Sequence, residues 1–322
     1  MKQNKKIILL VNLGSIDSLT TKSIKSFLKC FLLDKRVVNL PKFFWYPLLN
    51  FIILPLRSRR LLGSYKKIWI NGNSPLKHHT INQTNKLKKM FDNESIVVEY
   101  AFSYSEPLLC NVLKSLSNKY NISDLTIIPL YPQFSTSTTS SVFDILYKFY
   151  QNKGVIPNIK FISSFYKHEM FINAIVNKIK KFWNTNKNNS EFLVFSYHGL
   201  PVKMIESGDV YYTHCIETTK LIVDKLNLPN LNYKVCFQSK FGTNKWIGPS
   251  TIDTLRQLAK QNVKSVDIIC PGFVSDCLET LEEICILNKD AFIENGGINY
   301  RYIECLNDND DFISFLCYLI NY

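Results

Sequence analysis

The chain has 322 residues, of which 46% are hydrophobic and 20% charged, enough for two domains with separate cores and unlike a disordered or fibrous protein. Its formal charge of +13 raises nucleic acid as a partner, yet the basic residues are scattered in pairs such as Lys35-Arg36 and Lys180-Lys181, without a binding motif, so none is expected. The nine cysteines form no C-x-x-C set, which argues against a zinc site or a four-thiolate cluster and for reduced thiols packed as small hydrophobes.

The first apolar run, Ile7-Ile8-Leu9-Leu10-Val11, follows Lys5-Lys6. It is short, partly β-branched and lacks a small-residue cleavage site, so it predicts a strand rather than a secretory signal, and the expected location is cytoplasmic. Next comes Phe43-Phe44-Trp45-Tyr46-Pro47 through Leu56, the most apolar stretch, with Arg57, Arg59 and Arg60 behind it. It falls short of the roughly 20 residues that span a bilayer and contains two prolines, so it is expected to form a pocket lip that also touches the inner face of a membrane peripherally.

From there apolar, β-branched runs alternate with amphipathic ones. Strands are predicted at 6–13, 96–102, 124–130, 159–164, 191–197, 233–238, 265–270 and 299–304. Helices are predicted at 20–32, 80–91, 106–119, 140–151, 168–184, 212–227, 250–262 and 277–289. Such alternation implies α/β structure with parallel sheet. Eight strands fit one barrel or two open sheets. Two Rossmann-like halves are preferred: an N-terminal domain at 1–128, a C-terminal domain at 129–307, and a last helix at 308–322 folding back on the first. Gly14-Ser15-Ile16-Asp17 follows a strand but is no G-x-G-x-x-G, so no nucleotide cofactor is expected.

Two residues stand out chemically. His198 ends Phe192-Leu193-Val194-Phe195-Ser196-Tyr197, and Glu279 follows Cys270-Pro271-Gly272-Phe273. Both fall at C-terminal edges of predicted parallel strands, where open α/β sheets place ligands. An imidazole and a carboxylate meeting there can accept protons and hold a borderline metal, but are too few to trap it. On an ideal helix Asp276, Glu279 and Glu283 fall within an arc of about 60°, opposite Leu278, Leu281 and Cys285. Taken alone, a D-x-x-E capping box is the better explanation of Asp276 and Glu279, and a carboxylate row leading toward a strand-end histidine fits cation traffic instead. A lone histidine is more often a satisfied core residue, and His78, His79, His168 and His214 read as surface residues. The hydroxyls of Ser135 to Ser140 suit capping of the following helix or carboxylate binding.

Taken in order, Val11-Asn12-Leu13-Gly14, Asp34-Lys35-Arg36, Ser74-Pro75-Leu76, Tyr131-Pro132-Gln133-Phe134-Ser135, Tyr197-His198-Gly199-Leu200-Pro201, Phe237-Gln238-Ser239-Lys240-Phe241-Gly242 and Asp276-Cys277-Leu278-Glu279-Thr280 resemble the ferrochelatases nearly end to end. The resemblance implies two Rossmann-like domains around a porphyrin cleft and insertion of Fe2+ into protoporphyrin IX, the last step of haem biosynthesis. It implies His198 and Glu279 as the catalytic and metal pair, with Asp276 and Glu283 relaying protons or metal. Tyr131, Trp246 and Phe273, with Ser74 and Arg57, match positions near the macrocycle. Iron and porphyrin enter as substrates, with no permanently bound cofactor and no iron–sulfur cluster expected, and the chain is expected to be a monomer. Departures are Ser103 where the family has arginine, Lys240 for a common arginine, Asn73 within a Gly-Gly pair and Ile16 for proline. A coproporphyrin or cobalt chelatase, a non-catalytic tetrapyrrole carrier and a sugar- or anion-binding protein are the alternatives, and the division of roles between His198 and Glu279 stays open.

Overall fold

The computed structural model describes residues 2–91, 94–186, 190–240 and 245–321. All eight predicted strands are present: β1 (Asn4–Asn12), β2 (Ile96–Phe102), β3 (Asn121–Pro129), β4 (Asn158–Phe161), β5 (Phe192–His198), β6 (Tyr233–Gln238), β7 (Ser265–Ile269) and β8 (Asn299–Ile303). They form two four-stranded sheets, ordered β2-β1-β3-β4 and β6-β5-β7-β8. Every pairing is parallel. The continuous run Ile7–Val11 is buried, as a parallel strand covered by helices on both faces requires.

The chain divides into two units: residues 1–131, 135–164 and 316–322, and residues 132–134 and 165–315. A boundary near 128 is therefore corrected. β4 pairs with β3, Asp124 to Asn158 through Ile127 to Phe161, so the first sheet takes its fourth strand from beyond that point. Spacing alone marks β4 as a strand but not the sheet that receives it. The last helix, Asp310–Asn321, begins in the second unit and ends in the first. In the first unit the Lys160 ammonium donates to the Leu319 carbonyl at 2.8 Å.

In the first unit, Leu9, Val11, Leu113, Leu125, Ile127 and Val142 belong to one core. In the second, Val194, Leu255, Val266, Ile268, Ile284 and Phe292 form another. The apolar stretch expected as a lip is helical: Lys42–Leu48, a π-helical turn at Leu49–Ile53, then Leu54–Ile68. The wide turn lies between Pro47 and Pro55, neither of which can donate a regular helical hydrogen bond. Among the described residues no helix is long and apolar enough to cross a membrane.

The helix predicted at 277–289 differs most from expectation. It is π-helical over Glu279–Asn288, and Asp276 lies outside it in irregular backbone. The reading of three carboxylates on one α-helical arc is therefore corrected: Glu279 and Glu283 share the helix, Asp276 does not.

Candidate active site

In the second sheet β5 has β6 on one side and β7 on the other. The crevice beyond the C-terminal ends of β5 and β7 is thus the point where strand order reverses, the usual ligand site of open α/β sheets. His198 is the last residue of β5, in register with Gln238 at the end of β6. The turn Cys270–Phe273 leaves β7, closed by Phe273 N–H donating to Cys270 O at 3.0 Å. It brings the half-buried Phe273 ring to 6.5 Å from the His198 ring, centroid to centroid.

His198 is half-buried, and its Nδ1 lies 2.7 Å from the Gly199 carbonyl. A carbonyl only accepts, so Nδ1 carries the proton and the neutral ring keeps its lone pair on Nε2. Gly199 is required here. A Cβ would lie 2.8 Å from the Gln238 carbonyl and 3.2 Å from the Trp246 ring. Trp246 is held against that glycine by the bridge from Pro201 and by Ile247 N–H to Leu200 O at 2.9 Å. The second unit thus puts an imidazole, a phenyl ring and an indole ring around one strand end.

The carboxylates are sorted by their partners. Glu283 accepts from the Ser239 amide at 2.7 Å and from the Ser239 hydroxyl. Ser239 adopts φ +65°, a left-handed conformation costly for a serine, and this turns both donors onto Glu283. Burial raises the Glu283 pKa, the Ser239 donors and the neighbouring His198 oppose that rise, and Glu279 adds to it. His198 and Glu279 therefore both act electrostatically on Glu283. The Gln238 amide donates to the Glu279 carbonyl at 2.9 Å and accepts from Ser196 at 2.7 Å, tying the π-helix to β5 and β6.

Asp276 is placed differently. It is only 3% exposed, and its oxygens accept from Tyr302 at 2.6 Å, Asn307 at 2.7 Å and Thr280 at 2.9 Å. It anchors the start of the helix to β8 and to the segment after it through these donors. It does not cap as a D-x-x-E box, because it holds the Thr280 side chain. Among the described residues no three His, Cys, Asp or Glu side chains form a metal cage.

The remaining candidates lie in the first unit. Ser74 caps the helix Pro75–Met90, accepting from Lys77 N–H at 3.4 Å, and is 1% exposed. Arg57 is half-buried on the helix Leu54–Ile68. Tyr131 follows β3. Its hydroxyl and the Ser103 hydroxyl are both buried with no hydrogen bond of good geometry to any described residue, although they lie close to each other. Burial raises the Tyr131 pKa. Phe241 and Gly242 of the sequence motif lie outside the described residues.

Ser239 and His214 were under-read. Ser239 sits beside Lys240 in an ordinary polar string, and only its backbone reveals it. His214 is a half-buried ring stacked on Tyr166 at 3.8 Å rather than a surface residue.

A ferrochelatase family model matches residues 5–322. Ferrochelatases of Wigglesworthia glossinidia brevipalpis and Francisella tularensis subsp. holarctica are 42% and 41% identical to the chain. They cover 99% of it in each case, over 98% and 96% of their own length. The ferrochelatase of Teredinibacter turnerae is 40% identical over 97% of the chain and 86% of its own length. Among solved structures, SirB from Bacillus subtilis with Fe3+ superposes with a TM-score of 0.58 at 10% identity, covering 98% of this chain and 94% of that one. The sirohydrochlorin chelatase SirB in complex with cobalt gives 0.54 at 11% identity, with the same coverage. At such identities these two likenesses establish a shared fold.

Proposed function

The chain belongs to the ferrochelatase family, a metal chelatase inserting iron into a porphyrin in haem biosynthesis, and on that footing we propose that its substrates are Fe2+ and protoporphyrin IX. The observation that supports the site assignment most is His198: a half-buried imidazole at a strand-order reversal, its tautomer fixed by Gly199 so that Nε2 faces the reaction as a base.

Metalation requires loss of two pyrrole protons and access of the metal to nitrogen lone pairs that a flat macrocycle keeps in its plane. A site that binds the puckered ring more tightly than the flat one lowers the barrier by differential binding. Phe273 and Trp246 supply apolar faces for the macrocycle. His198 Nε2 takes a pyrrole proton or holds iron in passing. Glu279 shares that work, and Glu283 carries protons away, kept within reach of titration by burial against the two Ser239 donors. Asp276 holds the helix in place.

In the first unit, Phe43, Phe44, Phe51 and Leu56 are 72%, 69%, 81% and 67% exposed. Large apolar side chains left this open in a group mark a surface that is covered in use. We assign it to gripping the apolar edge of the porphyrin and to peripheral contact with a membrane. We assign the lip to the first unit and the metal site to the second. A monomeric cytoplasmic enzyme without a resident cofactor completes the reading.

The test is anaerobic turnover of Fe2+ and protoporphyrin IX, followed as loss of porphyrin fluorescence and growth of the haem spectrum. His198→Ala is expected to lose about 10³-fold in kcat, as removal of a general base does, while still folding and binding porphyrin. Wild-type binding without turnover would favour a carrier, and turnover only with coproporphyrin or cobalt would move the substrate assignment. Near-normal turnover in the variant would remove His198 from the mechanism.

A further inference from the structure

Residues 132–134 belong to the second unit although their neighbours on both sides belong to the first. Three hydrogen bonds hold them there. Phe165 N–H donates to Pro132 O at 3.0 Å, the Gln133 amide donates to the Thr218 hydroxyl at 3.0 Å, and Phe134 N–H donates to His214 Nδ1 at 3.2 Å. The Thr218 hydroxyl in turn donates to the His214 carbonyl at 2.7 Å, so His214 supports the segment through its ring and its backbone.

What the segment supports is the turn that carries Phe273. A Cβ on Gly272 would lie 3.5 Å from Gln133 Oε1, 3.5 Å from the Tyr211 hydroxyl and 3.2 Å from the Tyr197 ring. Gln133 is 2% exposed and forms one wall behind Gly272. Moving the segment therefore moves the floor under the turn beside His198.

Of the three bonds only one depends on a proton. An imidazole accepts through Nδ1 only when that nitrogen is bare, which fixes the neutral Nε2–H form. An imidazolium would present N–H against the N–H of Phe134. The ring is stacked on Tyr166, whose hydroxyl donates to Glu217 at 2.6 Å. The charged groups around it are Glu217 and Asp209, which favour protonation, and Lys167, which opposes it. Burial is the largest influence and lowers the His214 pKa, so the ring is neutral near pH 7.

We propose that His214 is a positioning residue for iron insertion, whose neutral ring holds residues 132–134 behind the Gly272 turn and releases them on protonation. The proposal rests on the assignment of the Phe273 turn to the substrate site. It gives the enzyme an acid limit away from the strand end that carries His198, because the His214 imidazole must stay neutral to accept from Phe134. His214→Asn is the informative change, since an asparagine carbonyl replaces Nδ1 as acceptor and does not titrate.

The direct measurement uses the native chain without porphyrin or iron, so it succeeds or fails independently of the chelatase reading. The Phe134 amide and the His214 ring are followed by NMR from about pH 8 to about pH 5, through the ordinary histidine range. The Phe134 amide shift is expected to follow the His214 titration. Its protection from hydrogen exchange, corrected for intrinsic rate, is expected to fall about five- to tenfold on protonation, the worth of one hydrogen bond. In His214→Asn the protection stays flat. The acid limb of kcat/KM then loses the proton that His214 contributes, with the plateau near pH 8 held within about threefold. An amide that ignores the His214 titration in the native chain overturns the proposal, whatever the variant does. So does an acid limb that His214→Asn leaves unchanged.

Discussion

The two sheets are the same device used twice. Each is wholly parallel, and each orders its strands so that the first in sequence lies between the second and the third. Each therefore has a crevice at the reversal, beyond β1 and β3 in one unit and beyond β5 and β7 in the other. What stands in the two crevices differs. At the end of β1 and after it come Asn12, Gly14 and Ser15, with Asn12 donating to Thr80 at 3.1 Å and Ser15 to Tyr65 at 3.3 Å, and after β3 comes Tyr131. All are neutral near pH 7. At the end of β5 stands His198, and after β7 come Glu279 and Glu283. Topology gives both halves a crevice at the reversal, and the difference lies in residue type: an imidazole and two carboxylates belong to the second.

The difference extends to how each half is held together, which allows the largest test. In the second unit Asp267 is 1% exposed and accepts from Arg301 at 2.7 and 2.9 Å, from Trp183 at 2.7 Å and from Ser190 at 3.0 Å. One carboxylate thus ties β7, β8, the helix Glu169–Thr185 and the residues before β5. In the first unit Arg36 pairs with Asp144 in the same two-pronged geometry, but the side chains are 36% and 38% exposed. Asp267→Asn should cost about 3–5 kcal/mol, because it leaves a mostly buried guanidinium without its countercharge. Arg36→Ala should cost no more than about 1 kcal/mol, because water already screens that pair. Urea denaturation of both variants decides it, and equal losses would break the contrast between the halves.

How much of this could be read from the residues alone depends on what each signal is blind to. The strands were legible because β-branched runs such as Val266-Asp267-Ile268-Ile269 have few alternative uses. The ends of β5 and β7 were legible for the same reason, and with them the neighbourhood of His198 and Glu279. Membership was not: β4 is as good a strand in either sheet, and only its pairing with β3 decides. The π-helix was hidden because residues four apart stay neighbours in either helix type, so Glu279 and Glu283 look alike in both. Asp276 was misread because periodicity does not say where a helix begins. Ser239 and His214 were missed because a left-handed φ and a stacked ring leave no trace in composition.

A smaller effect sharpens the contrast inside the reactive half. Removing the hydroxyl in Ser239→Ala leaves the backbone donor on Glu283 but takes away one that lowers its pKa. The Glu283 pKa, already raised by burial, should rise further. The sign follows directly: a higher carboxyl pKa means the ionised form is lost at higher pH, so the acid limb of kcat moves upward. The same shift makes ionising Glu283 costlier in the folded state, so stability above the ordinary carboxylate range falls slightly. Activity near pH 7 should drop about three- to tenfold, the worth of one hydrogen bond to a charged group discounted for the remaining amide. A pH profile of kcat for the two proteins measures it, and an unshifted limb would remove Glu283 from the proton path.

The smallest expected effect is in the neutral half, at Tyr131. Its hydroxyl and that of Ser103 are both buried without a well-formed bond, and a buried polar group left so is a cost rather than a support. Tyr131→Phe removes one of them and keeps the ring. Stability in urea should therefore change by less than about 1 kcal/mol, and a gain is as consistent as a loss. Porphyrin affinity separates two roles for the crevice. If it is only a packed wall, fluorescence titration of Tyr131→Phe should match the native chain. A drop of tenfold or more in affinity with kcat unchanged would mean the hydroxyl is kept unpaired for a polar group of the porphyrin. The first unit would then bind through its crevice as the second reacts through its own, and the contrast between the halves would be one of task rather than of activity against inertness.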